Sequence, residues 1–238
     1  GVHAASPLGL PVSAETLKAL DVAVELARDA GHTVEPVDLS FIGRDFIGDF
    51  GRMVAVSLAG TLRLEAVRNG RSVLADMERA TRILARLGDL VSGGETYAAI
   101  ERLALASRRI VAQTAGLDAV LMPIIAHEPV AIGGLDAKGA DNVIEEIVDR
   151  ARLTRLLRIP AIFAQLMDKS LWFTHWPAIQ NVTGQPAIAL PVHVTASGLP
   201  LGIQAVGRPG DEETLLSLAA QMEKQSGWLD RRAGLMRP

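Results

Sequence analysis

The sequence contains no cysteine. This absence excludes disulfide bonds, thiol nucleophiles and thiolate-ligated metal sites. The five histidines offer no replacement, because no two of them lie four residues apart around a glutamate, as the zinc site of a metalloprotease requires. A composition without cysteine suits a reducing compartment. We therefore predict a cytoplasmic protein with no metal and no cofactor.

An excess of charge of one sign is also lacking. The 24 Lys and Arg residues are scattered among 27 Asp and Glu residues, and the net charge is -3 at pH 7. No basic face follows a phosphate backbone, so we expect no nucleic acid as a partner. The most apolar long window, residues 117–135, is interrupted by Asp118, Glu128 and two prolines. It is too broken to predict a membrane span.

The common motifs of nucleophilic catalysis are missing too. No Gly-x-Ser-x-Gly string occurs. Lys169 and Ser170 are adjacent, but neighbouring side chains seldom face one substrate, and we predict an exposed loop there. Asp168 and His175 suggest a charge-paired histidine, yet the pattern places no nucleophile beside them. The string VSGGE at 91–95 has a single serine and indicates a helix boundary.

The sequence does contain the alternation of strand and helix signals that is typical of an α/β protein. With 49% hydrophobic residues in a chain of 238, it can bury a substantial core. Residues 1–6 predict the end of a strand, Ser13 an N-cap, Gly31 the end of the following helix, and residues 32–39 a second short strand. The chain thus starts inside a strand-helix-strand unit and without methionine. Our hypothesis is that it is a piece of a longer polypeptide.

The middle of the chain predicts helices followed by a buried strand. Residues 41–116 form a mainly helical layer, with helices expected over 50–69, 73–90 and 96–115. Residues 118–126 are a short apolar run that ends in a proline-containing loop. Such a run is typical of a strand covered on both faces.

The last third predicts a strand, a second strand and a helix. A helix over 142–158 precedes them. The strands are expected at 186–194 and 199–207, and Asp211 caps the final helix. We therefore predict an α/β fold in which a mixed β-sheet is layered with helices, as a single unit over residues 1–238.

Several blocks of the sequence resemble the amidase signature family, in that family's order and spacing. The blocks are SPLGLPVSAETLKALDVAVELARDAGHTVEPVDL at 6–39, GLDAVLMPIIA at 116–126, NVTGQPAIALPV at 181–192, SGLPLGIQAVGR at 197–208, GDEETLLSLAAQME at 210–223 and WLDRR at 228–232. Together they cover more than a third of the chain. The pattern is most similar to the branch that includes hydrolases of cyclic amide dimers of aminohexanoate.

The resemblance implies the C-terminal part of the family's α/β/α fold and, for the parent protein, hydrolysis of a carbon-nitrogen amide bond. The family's catalytic lysine and two serines belong to a Gly/Ser-rich loop N-terminal to every block found here, and this sequence has no such loop. The resemblance therefore implies that the chain alone is inactive. Its expected partners are a small-molecule amide and the missing N-terminal half, and a homo-oligomer stays open.

Two other classes of protein stay open beside this one. A non-catalytic binding or scaffold protein derived from an amidase half would have the same composition. A structural fragment that pairs through an exposed sheet surface would have it too. Neither alternative needs the Gly/Ser-rich loop.

Aromatic and apolar residues are concentrated just before the block at 181–192. They are Phe163, Leu166, Trp172, Phe173, His175, Trp176 and Ile179. Packing of a loop against the sheet explains them as core. The functional hypothesis is a substrate pocket lined by Trp172, His175, Trp176, Ile179 and Asn181, with Trp172 and His175 as the first choices for substrate contact. Asn181 is also expected to bond local backbone in a turn.

Overall fold

The computed structural model of the chain describes residues 1–135 and 159–230. The helix expected over 142–158 and the last two residues of the WLDRR block lie outside this described part. The chain divides into two compact units, which are described separately. The first comprises Gly1–Gly43, Ala106–Val130 and Trp172–Pro238, and the second Arg44–Leu105 and Ala131–Leu171.

The first unit is built on a sheet of three antiparallel strands. They are β1 (Ala119–Pro123), β2 (Ala187–Val194) and β3 (Pro200–Gly207), in the order β1-β3-β2. In the register of β1 and β3, Leu121 lies opposite Ala205. The register of β2 and β3 shifts between Leu190 and His193. All three predicted strands are confirmed, although β1 ends at Pro123, before the end of its apolar run.

The two short strands predicted near the start of the chain are reduced to single bridges. Val2 pairs in parallel with both Pro36 and Leu121. Val2 N–H donates to Glu35 O at 2.9 Å, and Val37 N–H donates to Val2 O at 3.0 Å. Pro36 has no N–H, which limits the ladder on that side. Parallel and antiparallel pairing thus occur together, as the prediction of a mixed sheet required.

Two helices cover one face of this sheet, and their caps lie where the sequence predicts them. Helix α1 (Ala14–Asp29) begins after Ser13, whose side chain accepts from Thr16 N–H. The last long helix, Glu212–Ser226, begins after Asp211, which accepts from Thr214 N–H. The buried core between helices and sheet consists of Ala19, Leu20, Ala23, Val24, Ala27, Leu121, Leu190, Val192, Leu201, Ile203, Ala205, Leu215, Met222 and Trp228.

The second unit is helical. Its elements are α2 (Arg44–Asn69), a 3-10 turn (Leu74–Asp76), α3 (Arg79–Leu90), the first part of α4 (Gly93–Thr114) and α5 (Pro160–Leu171). The last turns of α4 belong to the first unit. The boundary predicted at 91–95 is confirmed by a capping box: Ser92 Oγ accepts from Glu95 N–H at 3.2 Å, and Glu95 Oε2 accepts from Ser92 N–H at 2.8 Å.

Helices α2 and α3 approach each other closely at Gly88. A Cβ on this glycine would lie 2.0 Å from Ala55 O, closer than real Cβ atoms come to backbone oxygen. The absence of a side chain thus permits the contact. Around it, Ala55, Ile83, Leu87, Phe163 and Met167 form the core of the second unit.

Two local predictions were wrong. Residues 169–170 belong to α5 and are exposed on a helix, not in a loop. Asn181 lies in a helix, α6 (Pro177–Thr183), and not in a turn. Pro177 at the start of α6 suits a helix N-terminus. In the sequence, the turn residues Gly184 and Pro186 are the stronger signal, and they favour a turn. Gly184 does turn the chain, with φ of 69°, and α6 ends there.

The described residues have an α/β fold, as predicted. We number the helix Glu212–Ser226 as α7, and a 3-10 turn, Trp228–Asp230, follows it. Within residues 1–135 and 159–230, every helix is too short or too polar to cross a bilayer. The single unit expected over 1–238 stays a prediction.

Candidate functional site

The candidate site lies in the first unit, where two parallel backbone segments end. Val2 and Leu121 pair in parallel, so the loops that follow residue 3 and β1 leave the sheet at the same edge. In open sheets, ligands bind outside the carboxyl ends of parallel strands, because the loops there converge. The two loops comprise residues 4–12 and 124–130.

Backbone hydrogen bonds join these loops to the segment that carries the predicted pocket residues. Ser13 N–H donates to Ala126 O, and Ala126 N–H donates to Phe173 O, both at 2.8 Å. Ala126 is fully buried between its two partners. The loop after β1 is therefore held between the start of α1 and the segment 172–176.

A cluster of three rings lies at this junction. The Trp172 ring is 5.0 Å from the His127 ring, tilted by 58°, and 5.6 Å from the Phe173 ring, edge to face. All three side chains are half-buried, so each keeps part of its surface open to solvent. We call His127, Trp172 and Phe173 the ring cluster. Aromatic rings in tilted contact are a rigid apolar surface on which a ligand can pack.

The next two residues of the segment lie deeper. His175 and Trp176 are 0% exposed, and their rings stack at 4.0 Å. Trp176 Nε1–H donates to Ala5 O at 3.3 Å. The Oγ atom of Ser6 lies 2.9 Å from Nε2 of His175. These contacts tie the segment 172–176 to the loop after residue 3.

The remaining predicted pocket residues separate on α6. Ile179 is 0% exposed, whereas Asn181 is exposed. Gln180, between them, is buried, and its Nε2–H donates to Met122 Sδ at 3.7 Å. Among the residues that the structure describes, its Oε1 has no hydrogen-bond partner. Sequence reasoning did not single out Gln180, since a glutamine in an apolar stretch carries no signal of its burial.

Two residues of the predicted aromatic group belong to the second unit. Phe163 packs in that unit's core, with Arg52 over its ring at 4.8 Å. The side chain of Leu166 lies outside the described part of the chain. Asp168 forms an ion pair with Arg44 within the second unit, whereas His175 belongs to the first unit. A charge pair of Asp168 with His175 stays a prediction.

His3, which follows the bridge residue Val2, is a buried base that favours its neutral form. His3 is 7% exposed, and its Nδ1 lies 3.2 Å from Val37 O. Burial lowers the pKa of His3 below 6.5, because a charged imidazole loses hydration there. On the helix side, Nε2 of His193 lies 2.8 Å from Glu15 Oε2, and this hydrogen bond lowers the pKa of Glu15. Among the described residues, no three His, Asp or Glu side chains converge as metal ligands would.

Comparison with known proteins assigns the class. The family described as Amidase matches residues 5–216. The chain therefore belongs to the amidase family. The resemblance inferred from the sequence blocks is confirmed.

Individual relatives within the family can be named. The chain is 30% identical over 228 residues to "Putative amidase AmiB2" of Mycobacterium tuberculosis (strain ATCC 25618 / H37Rv), covering 95% of this chain and 43% of the relative. It is 28% identical over 212 residues to the 6-aminohexanoate-cyclic-dimer hydrolase of Pseudomonas sp. (strain NK87), covering 87% of this chain and 40% of the relative. The chain thus spans less than half the length of these relatives.

Solved structures agree on the fold. A 6-aminohexanoate cyclic dimer hydrolase complexed with substrate has a TM-score of 0.77 and 24% identity, over 99% of this chain and 47% of that one. A bacterial aryl acylamidase of the amidase signature family has a TM-score of 0.67 and 18% identity, over 98% of this chain and 46% of that one. The fold is therefore that of the amidase signature enzymes.

Proposed function

We propose that this chain is the C-terminal portion of a hydrolase that cleaves a carbon-nitrogen amide bond of a small molecule. The observation that carries the proposal is the continuous match to the amidase family over residues 5–216, together with relatives of about twice the length. The catalytic groups would come from sequence N-terminal to this chain, and the chain alone would be inactive. We place the reaction in the cytoplasm, in keeping with the cysteine-free composition.

The proposed chemistry is acyl transfer to serine. A neutral lysine takes a proton through a bridging serine, and a second serine attacks the amide carbonyl carbon. Backbone N–H groups stabilise the oxyanion that forms. The carbon-nitrogen bond breaks, the amine leaves with the proton, and water then hydrolyses the ester to release the acid and restore the serine.

The contribution of this chain would be a wall of the substrate pocket. Trp172 suits direct contact, because its half-buried ring keeps part of its surface open at the edge where the loops converge. His175, Trp176 and Ile179 are fully buried, which favours support of that wall from behind. Asn181 is exposed on α6 and is available to a ligand or to the rest of the protein.

The proposal is tested by comparing two polypeptides. The chain of 238 residues and the longest polypeptide encoded by its gene are purified, and amine release is measured with a linear aliphatic amide, an anilide and a cyclic amide dimer. Hydrolysis by the longer polypeptide and none by the chain alone is the expected result. Failure of the longer polypeptide on all three amides, with ligand binding retained, would instead support a binding or scaffold protein.

A further inference from the structure

His175 is placed to act on the site without touching a ligand. Its side chain is 0% exposed, and its ring is stacked on Trp176. Three residues before it, Trp172 is half-buried and contacts His127. His175 and Trp172 belong to one short segment, so a contact that fixes His175 also limits where the backbone can place Trp172. The contact to examine is the one between His175 and Ser6.

The direction of the Ser6–His175 hydrogen bond follows from what else Ser6 does. A serine hydroxyl has one proton to donate and two lone pairs to accept with. Ser6 Oγ accepts from Leu8 N–H at 3.2 Å and from Leu10 N–H at 3.3 Å. Both acceptor positions are occupied, so its proton is donated to His175 Nε2 at 2.9 Å. In the neutral imidazole the proton of His175 is therefore on Nδ1.

The same serine also shapes its own loop. The two N–H groups that it accepts are two and four residues ahead, so the hydroxyl folds residues 6–10 into a compact turn. The hydrogen bond to His175 then fixes this turn against the segment 172–176. Trp176 Nε1–H adds a second tie to Ala5 O. Two loops that are 169 residues apart in sequence are thus joined behind the ring cluster.

We propose that the Ser6–His175 hydrogen bond is a positioning contact that sets the orientation of Trp172 and so the shape of the amide-binding pocket. Ser6 and His175 are positioning residues, and neither touches the substrate. The proposal rests on the proposed function in one respect: Trp172 must face the substrate. The geometric part, that the Ser6–His175 bond fixes the segment that carries Trp172, is tested separately.

The test uses Ser6→Ala, which removes the donor, and Ser6→Thr, which keeps the hydroxyl as a matched control. Both are made in the longest polypeptide that the gene encodes, with Trp172→Phe as a reference for fluorescence. Trp172 is half-buried and keeps part of its ring open to solvent, whereas Trp176 is 0% and Trp228 8% exposed. Acrylamide quenching within this chain therefore reports mainly on Trp172. Quenching of the Trp172 component is expected to change in Ser6→Ala and to match the parent protein in Ser6→Thr.

Steady-state kinetics supply the second readout. Ser6→Ala is expected to raise KM for the preferred amide about three- to tenfold, the effect of one hydrogen bond, with a smaller change in kcat. Ser6→Thr should restore KM. Unchanged quenching and unchanged KM in Ser6→Ala, in a protein that hydrolyses amides, would overturn the positioning role. Absence of hydrolysis with altered quenching would overturn the proposed function and leave the contact established.

A third measurement does not depend on any variant folding. Nitrogen-15 spectra of labelled imidazoles distinguish a ring nitrogen that carries a proton from one that accepts a hydrogen bond. In the unmodified protein, His175 is expected to carry its proton on Nδ1, with Nε2 as the acceptor. A proton on Nε2 at neutral pH would contradict the direction of the bond and overturn the proposal.

Discussion

Arg102 donates two hydrogen bonds to the carboxylate of Asp49, from Nε to Oδ2 at 2.7 Å and from Nη2 to Oδ1 at 2.8 Å. Arg52 adds a third at 2.9 Å. The Asp49 side chain is 4% exposed, while that of Arg102 is 56% exposed. The two partners are therefore unequal: water can hydrate a released arginine, but it cannot reach the carboxylate as easily.

This difference in exposure predicts that substitutions of Arg102 and Asp49 have non-additive effects on stability. Arg102→Ala should destabilise the protein by about 2 kcal/mol, because it leaves a buried carboxylate with one cation in place of two. The double variant Arg102→Ala/Asp49→Ala should be less destabilised than Arg102→Ala alone. Urea unfolding measures both. As a control, Asp89→Ala breaks an exposed pair with Arg63 and should change stability by less than about 1 kcal/mol.

Replacing Gly88 and Gly60 by alanine should have opposite effects on stability. Gly88→Ala would force a Cβ to 2.0 Å from Ala55 O, so we expect a loss of about 2 kcal/mol or more as α2 and α3 separate. Gly60 lies in α2 with nothing within 4 Å of an added Cβ. Gly60→Ala should stabilise the protein by about 0.5–1 kcal/mol. Equal effects of the two substitutions in urea unfolding would contradict the close approach.

Gln180 predicts a substitution that raises stability. Its buried Oε1 has no partner within residues 1–135 and 159–230, so a residue of similar shape without the amide removes a desolvation penalty. Gln180→Met should stabilise the protein by about 1 kcal/mol. Gln185 is the matched control, because its Nε2–H donates to Gly207 O at 2.9 Å, and Gln185→Met should destabilise by about 1–2 kcal/mol. A loss of stability in Gln180→Met would mean that Oε1 has a partner outside the described residues.

His3 predicts a loss of stability in mild acid. Burial holds its folded pKa below the unfolded value of 6.5. Below that pH the unfolded chain binds a proton that the folded chain resists, so the free energy of unfolding falls as the pH falls from 6.5 toward the folded pKa. His3→Asn keeps a polar donor near Val37 O and does not titrate. Its unfolding free energy should vary less between about pH 7 and pH 5 than that of the parent protein.

In a complete enzyme, replacing Trp172 should alter substrate preference, whereas replacing Trp176 should lower stability. Trp172→Ala should change the ratio of kcat/KM between a bulky and a small amide. The melting temperature should change by a few degrees at most, because the ring is only half-buried. Trp176→Ala removes a ring that is 0% exposed and should lower stability by about 3 kcal/mol or more. If Trp172→Ala lowers all rates equally and reduces the melting temperature strongly, its role is packing.

Local signals in the sequence predict the ends of the elements well. Ser13 and Asp211 cap helices as expected, because a cap depends on the few residues that follow it. The boundary at 91–95 is correct for the same reason. Asn181 shows the limit of such signals, since the turn residues after it concealed the short helix α6.

Contacts between distant residues could not be predicted in this way. The bond between Ser6 and His175 spans 169 residues, and no pattern around either residue points to the other. Likewise, the ring of His127 meets that of Trp172 only in the folded chain.

The sheet order has a consequence for synthesis of the chain. Strand β3 lies between β1 and β2, and Gln204 of β3 bonds Pro123 O across 81 residues of sequence. On the ribosome, β1 can meet Val2 at once, but its antiparallel partner emerges much later. For most of that interval the apolar strand β1 lacks its partner β3, and aggregation competes with folding. Slow translation or a chaperone acting between residues 123 and 204 would therefore matter most for the yield of folded protein.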